Sequence, residues 1–181
     1  MVAPHPVDQV FSVAWFGLLA LVWFLWGLTS PPPRTRVWMV LGAVASLALT
    51  CYFGYDLLLR GDESGAHVRN PVWFWGLLVV EVAAATLVVR HLRRGGHDRW
   101  VAFWVGMVAT VHVFGLSFLL DYPAPAVLAL ILVVGLDALF DKPWFRTGET
   151  TTSGHVGLVM GACLLGFAIF AAVGHVGVTG G

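Results

Sequence analysis

The chain has 181 residues, 59% of them hydrophobic and only 11% charged, with zero formal net charge and a mean hydropathy of +0.84. A soluble domain carries about 25% charged residues, so composition selects a polytopic membrane protein, and the absent net charge implies no nucleic-acid partner. The length accommodates six helices of roughly 20 residues, which predicts an all-α transmembrane bundle forming one integral membrane domain over residues 1–181.

In chain order, apolar runs fall at about Val10–Leu28, Val37–Leu59, Val72–Val89, Trp100–Leu120, Ala124–Phe140 and Val156–Val173. Each is near the length a helix needs to cross about 30 Å of hydrocarbon, the fifth being the shortest. Helix-breaking punctuation separates them: Pro31-Pro32-Pro33, then 60–71, 90–99, Asp121-Tyr122-Pro123-Ala124-Pro125, and 141–155. Six spans place the first, third and fifth loops on one side. Those loops hold Arg34, Arg36, Arg90, Arg93, Arg94, Arg99, Lys142 and Arg146, against only Arg60 and Arg69 opposite. The positive-inside rule then sets both termini outside. No basic residue precedes the first span and no small-residue cleavage pattern follows it, so that span is expected to stay in the membrane. Trp26, Trp38, Trp73, Trp75, Trp100 and Trp144 lie near predicted interfaces, where an indole anchors a helix at headgroup level.

Lipid tails are as apolar as leucine, so helices in a bilayer associate where small residues let backbones approach. Gly42, Ser46, Thr50 and Gly54 form one such stripe in the second span; Gly157 and Gly161, with Gly166 beyond, form another in the sixth. Both are read as contacts within the bundle rather than between copies. Cys51 and Cys163 stand alone in apolar stretches and are read as packing residues. Val13-Ala14-Trp15-Phe16 and Val101-Ala102-Phe103-Trp104 are alike, but nothing in the third and sixth spans corresponds, so no internal repeat is inferred.

Glu81 sits nine residues inside its apolar run, and an ionisable group at that depth is expensive unless it is paired or functional. Both Glu81 and His112 fall about 13 to 14 Å from the outer ends of antiparallel, sequence-adjacent helices, so the two side chains can meet. Small residues flank them, Ala84 and Ala85 after Glu81, Ala109 and Gly115 about His112, which turns both toward the bundle interior. Neutralising an ordinary glutamate at pH 7 costs about 3.7 kcal/mol. Inserting a charge at a helix centre costs about 2.5 to 3.5 kcal/mol. These magnitudes do not choose between a charged and a neutral Glu81. The pair is the candidate proton-relay or substrate site, with Asp56 and Asp137 as secondary polar candidates nearer helix ends. His5, His67, His91, His97 and His175 fall in loops or tails, where a solvated imidazole is the default.

Enzyme readings find little support. Gly115-Leu116-Ser117-Phe118 together with Gly154-His155 resembles the serine and histidine pattern of the rhomboid proteases, but Phe118 replaces the second glycine. Ser117 and His155 also belong to opposite ends of their helices, whereas a dyad requires hydrogen-bond contact. A b-type haem needs two facing histidines at compatible depth, and a retinal Schiff base needs a lysine within a span; the chain's one lysine, Lys142, lies in a loop. No metal, catalytic residue or cofactor is therefore expected. The stretch His112-Val-Phe-Gly-Leu-Ser-Phe-Leu-Leu-Asp-Tyr-Pro123 and the glycine-bearing spans after it resemble a group of small bacterial six-span membrane proteins to which no function is assigned. That resemblance covers about the last third of the chain and implies six spans, without an activity.

The functional expectation is a small proton-coupled carrier or conducting module in a bacterial plasma membrane, with Glu81 and His112 at its centre. The alternative is a non-catalytic structural or assembly subunit of a membrane complex. The expected partners are the bilayer itself and anionic lipids at the Arg90–Arg99 loop.

Overall fold

The computed structural model describes residues 6–32, 34–59, 71–142 and 152–179. Six α-helices account for nearly all of them: α1 (Pro6–Gly27), α2 (Arg36–Leu59), α3 (Pro71–Arg94), α4 (Val101–Leu119), α5 (Ala124–Phe140) and α6 (Thr152–Thr179). A short 3₁₀ turn, Asp98–Trp100, leads into α4, and no strand occurs among the described residues. Five helices are long and apolar enough to cross a membrane; α5, with 17 residues, is shorter. Many large apolar side chains point out of the bundle, among them Trp38, Leu41, Trp73, Val79, Leu87 and Phe118. That pattern suits a multi-pass protein whose solvent is hydrocarbon. Trp144 lies outside the described residues.

The helix ends follow from local chemistry. After α3, Gly96 adopts φ +71, the His97 N–H reaches the Leu92 carbonyl at 2.8 Å, and the Gly96 N–H reaches Arg93 at 3.1 Å. This is a Schellman stop, and glycine enters the left-handed region without a Cβ penalty. α4 ends in a related way on Asp121, at φ 50, with the Tyr122 N–H on the Ser117 carbonyl. Aspartate tolerates that conformation better than most residues, and Pro123 then prevents the helix from resuming.

α1 and α6 make the most extensive helix pair, followed by α1 with α2; α4 packs against α3, α5 and α6. The reason lies in small residues. A Cβ on Gly157 would come 2.6 Å from both the Gly27 Cα and the Trp23 carbonyl oxygen, so the backbones of α1 and α6 touch there. One turn away, the Phe24 ring is seated between two glycines: a Cβ on Gly42 of α2 would lie 2.5 Å from it, and one on Gly161 of α6, 2.8 Å. Gly17 of α1 likewise admits Thr50 of α2. Gly54 and Gly166, at the ends of the two expected stripes, meet nothing within 4 Å and take no part. At the other end of the pair, Gln9 Nε2 donates to the Ala171 carbonyl at 3.2 Å.

α3 is the outlier. It rests chiefly on α4 and turns one face inward, with Phe74 buried and Leu77, Leu78, Glu81, Ala84, Ala85, Val88 and Val89 half-buried, at the three- and four-residue spacing of a single helix face. One expectation needs correction, the packing role of Cys51. Cys163 is half-buried, but Cys51 is exposed on the outer face of α2 and packs nothing into the core. Val13 lies seven residues inside α1 whereas Val101 is the first residue of α4, so the two similar tetrapeptides occupy different depths.

The contrast between two glycines of α6 tests this packing. Gly157→Ala is expected to destabilise the protein in detergent by about 1 to 3 kcal/mol, since its new methyl meets backbone that cannot yield. Gly166→Ala should be neutral or slightly stabilising. Equal melting temperatures for the two variants would contradict the assigned α1–α6 contact.

Candidate functional site

Glu81 and His112 meet at the α3–α4 interface, with the carboxylate Oε2 3.0 Å from the imidazole Nδ1. The His112 side chain is 2% exposed and that of Glu81 17%. Geometry explains the encounter: Glu81 lies ten residues into α3 and His112 seven residues before the end of α4, on helices that run antiparallel through the Gly95-Gly96 stop. Close approach beside the pair is allowed by Gly115, whose Cβ would lie 3.0 Å from a Leu77 methyl.

The contact is a close polar approach rather than an aligned hydrogen bond. Oε2 is within range of Nδ1 but off the ring N–H direction, so neither His112 nitrogen completes a directed hydrogen bond. Nε2, on the far side of the ring, is buried and has no protein partner. Such a group is uncommon in a folded interior and marks a position where a proton or a polar ligand can be taken up. In general a carboxyl and an imidazole in contact can share one proton, on either partner.

An aromatic cluster shared between α1 and α3 lies beside the pair. Trp15 of α1 lies 6.4 Å from His112 between ring centroids, tilted by 36°. It also meets Phe74 edge-on at 5.1 Å, and Phe11 completes the group at 5.7 Å from Phe74. The Trp15 indole N–H is buried without a protein acceptor, a second unpaired polar atom beside His112. Sequence reasoning did not select Trp15. Its depth was the available signal, since it lies nine residues into α1, matching Glu81 in α3.

The secondary candidates are not brought to this site. Asp56 sits in the last turn of α2, and Asp137 is exposed in the last turn of α5. Ser117 donates its hydroxyl to the Phe114 carbonyl at 2.7 Å, within its own helix. Thr152, at the start of α6, donates its hydroxyl to the Arg99 carbonyl at the opposite end of α4. His155 is therefore about 20 Å from Ser117 by helical rise, too far for a serine–histidine dyad. Tyr122, buried in the turn after α4, has its phenol pushed above its ordinary value by desolvation and is a neutral hydroxyl at physiological pH. Among the described residues, no three His, Cys, Asp or Glu side chains gather to hold a metal ion.

No protein-family profile, curated protein or solved structure matches the chain. The site is accordingly read from its own geometry.

A double-mutant cycle measures whether the contact carries energy. His112→Leu leaves the Glu81 carboxyl without its partner and is expected to cost about 1 to 3 kcal/mol. Adding Glu81→Leu should recover much of that loss, because two apolar groups replace a broken pair. Additive melting-temperature changes would show that the two side chains are energetically independent.

Proposed function

We propose that the chain is a small proton-transfer module of a bacterial plasma membrane, a proton-coupled carrier or conductor in which Glu81 and His112 hold and exchange one proton. The observation supporting this reading is the 3.0 Å Glu81–His112 contact, with the second imidazole nitrogen buried and unpaired. An imidazole that faces a carboxylate with one nitrogen can take a proton at the other while giving up the first. Nε2 accepts the incoming proton and, once a side-chain rotation brings Oε2 onto the Nδ1–H direction, the Nδ1 proton passes to the Glu81 carboxylate; no other bond changes. The loop charges favour placing both termini outside and the Arg90–Arg99 end inside.

A second reading, a structural or assembly subunit, draws on α3, which rests chiefly on α4 and leaves most of its apolar side chains outside the bundle. Proton flux separates the two. In proteoliposomes carrying a pH gradient, Glu81→Gln and His112→Gln are each expected to slow dye-reported proton entry by about tenfold or more, within the 10² to 10⁴ a positioned acid–base group contributes. Glu81→Asp, a shorter carboxylate, should retain part of the flux. Flux that is absent from the native protein, or unchanged in Glu81→Gln while the melting temperature falls, favours the structural subunit.

A further inference from the structure

The last turns of α1 and α3, the 3₁₀ turn and the first turn of α6 converge on a cavity of about 320 Å³ at one end of the bundle. Its polar wall comprises Arg93, Asp98, Arg99, Thr152 and Ser153, and its apolar wall includes Trp26. Two arginines against one aspartate give the lining an excess positive charge. Arg93 Nε lies 3.6 Å from Asp98 Oδ1, and both side chains are largely exposed, which makes this a loose surface pair. An arginine has five N–H donors, and that contact engages one nitrogen. Arg99 lies over the Trp100 ring, 5.4 Å from its centroid, an arrangement that steadies the guanidinium plane. The hydroxyl of Thr152 donates to the Arg99 carbonyl, tying the 3₁₀ turn to α6 and holding two walls of the cavity together.

We infer that this cavity binds the phosphate headgroup of an anionic phospholipid. Two features favour a lipid over free phosphate. The lining is amphipathic, with forked donors on one side and the Trp26 indole, Val101 and Ala102 on the other. The cavity also opens where membrane-length helices end, the depth at which headgroups lie. Guanidinium groups match phosphate oxygens with paired donors. This inference is independent of the proton-transfer reading.

Reconstitution tests it. The full chain is placed in phosphatidylcholine nanodiscs with or without phosphatidylglycerol, and both the melting temperature and the phosphatidylglycerol retained after detergent extraction are measured, the latter by native mass spectrometry. Phosphatidylglycerol is expected to raise the melting temperature and to be retained. Arg93→Gln and Arg99→Gln should each weaken retention about fivefold, the factor that corresponds to about 1 kcal/mol per basic residue near an anionic surface. Arg94→Gln removes the same charge from the last turn of α3 but outside this cavity, and should change retention by less than about twofold. Arg99→Lys guards against disturbance of the 3₁₀ turn, since it keeps the charge and loses only the fork; partial loss is expected. Equal losses in Arg93, Arg94 and Arg99 variants would mean diffuse surface attraction and overturn the site. Full retention in both Arg93→Gln and Arg99→Lys would overturn it too. Inorganic phosphate added to phosphatidylcholine nanodiscs should not stabilise the protein; stabilisation as large as that from phosphatidylglycerol would overturn the lipid assignment.

Discussion

The bundle depends on the close crossing of its first and last helices. Hydrocarbon supplies no hydrophobic force to press helices together, so a membrane bundle coheres where backbones approach closely enough for dispersion to accumulate over many atoms. Gly157 provides that approach by bringing the α6 backbone against Gly27 and Trp23, and the Phe24 ring extends it by occupying recesses over Gly42 and Gly161. One side chain thereby joins three helices. With α1, α2 and α6 fixed in this way, α4 is held against α6 at Gly106, where a Cβ would already press Val156 and Leu136. α3 is left to dock on α4.

That order of dependence determines where a polar pair can sit. Glu81 is carried by the least enclosed helix and His112 by one of the most enclosed. A carboxylate on the outward stripe of α3 would face lipid alone; on the inward stripe it meets imidazole. Ala84, Ala85 and Gly115 are small enough to let the helices close around that contact, so the same residues that permit packing also permit pairing. Trp15 and Phe74 then fill the space between α1 and α3, where the two backbones do not touch closely.

The helix spans were legible in the sequence because hydropathy and length are local properties, and the stops at Gly95-Gly96 and Asp121-Tyr122-Pro123 are written in residues with restricted or permissive φ. The meeting of Glu81 and His112 was legible for a related reason: a short loop fixes antiparallel neighbours, and rise per residue fixes depth. Contacts between helices distant in the chain were harder to read. The stripe at Gly157 and Gly161 announced a close approach but did not name α1 as its partner, and Gly166 looked equivalent although it opens onto a groove. Trp15 was passed over because an apolar aromatic in a membrane span has no sequence mark that separates a lipid-facing ring from one beside a titratable group. The exposure of Cys51 has the same origin, since a hydrocarbon solvent leaves both faces of a helix equally apolar and removes the amphipathic signal that identifies the interior of a soluble protein.

The weakness of α3 packing gives the polar pair a structural consequence whatever its protonation. Outside the Glu81–His112 contact, the inward face of α3 is apolar, from Phe74 through Val89. The α3–α4 interface therefore contains one polar interaction set among dispersion contacts. Segments with few buried contacts supply the low-energy openings of a protein, and α3 has the fewest buried side chains of the membrane-length helices. An ion pair in low dielectric binds its partners far more strongly than the same pair after one charge is lost. Under the proposed proton transfer, proton occupancy of the pair and closure of α3 onto α4 become linked quantities, because the polar contact lies in the least enclosed of the helix interfaces.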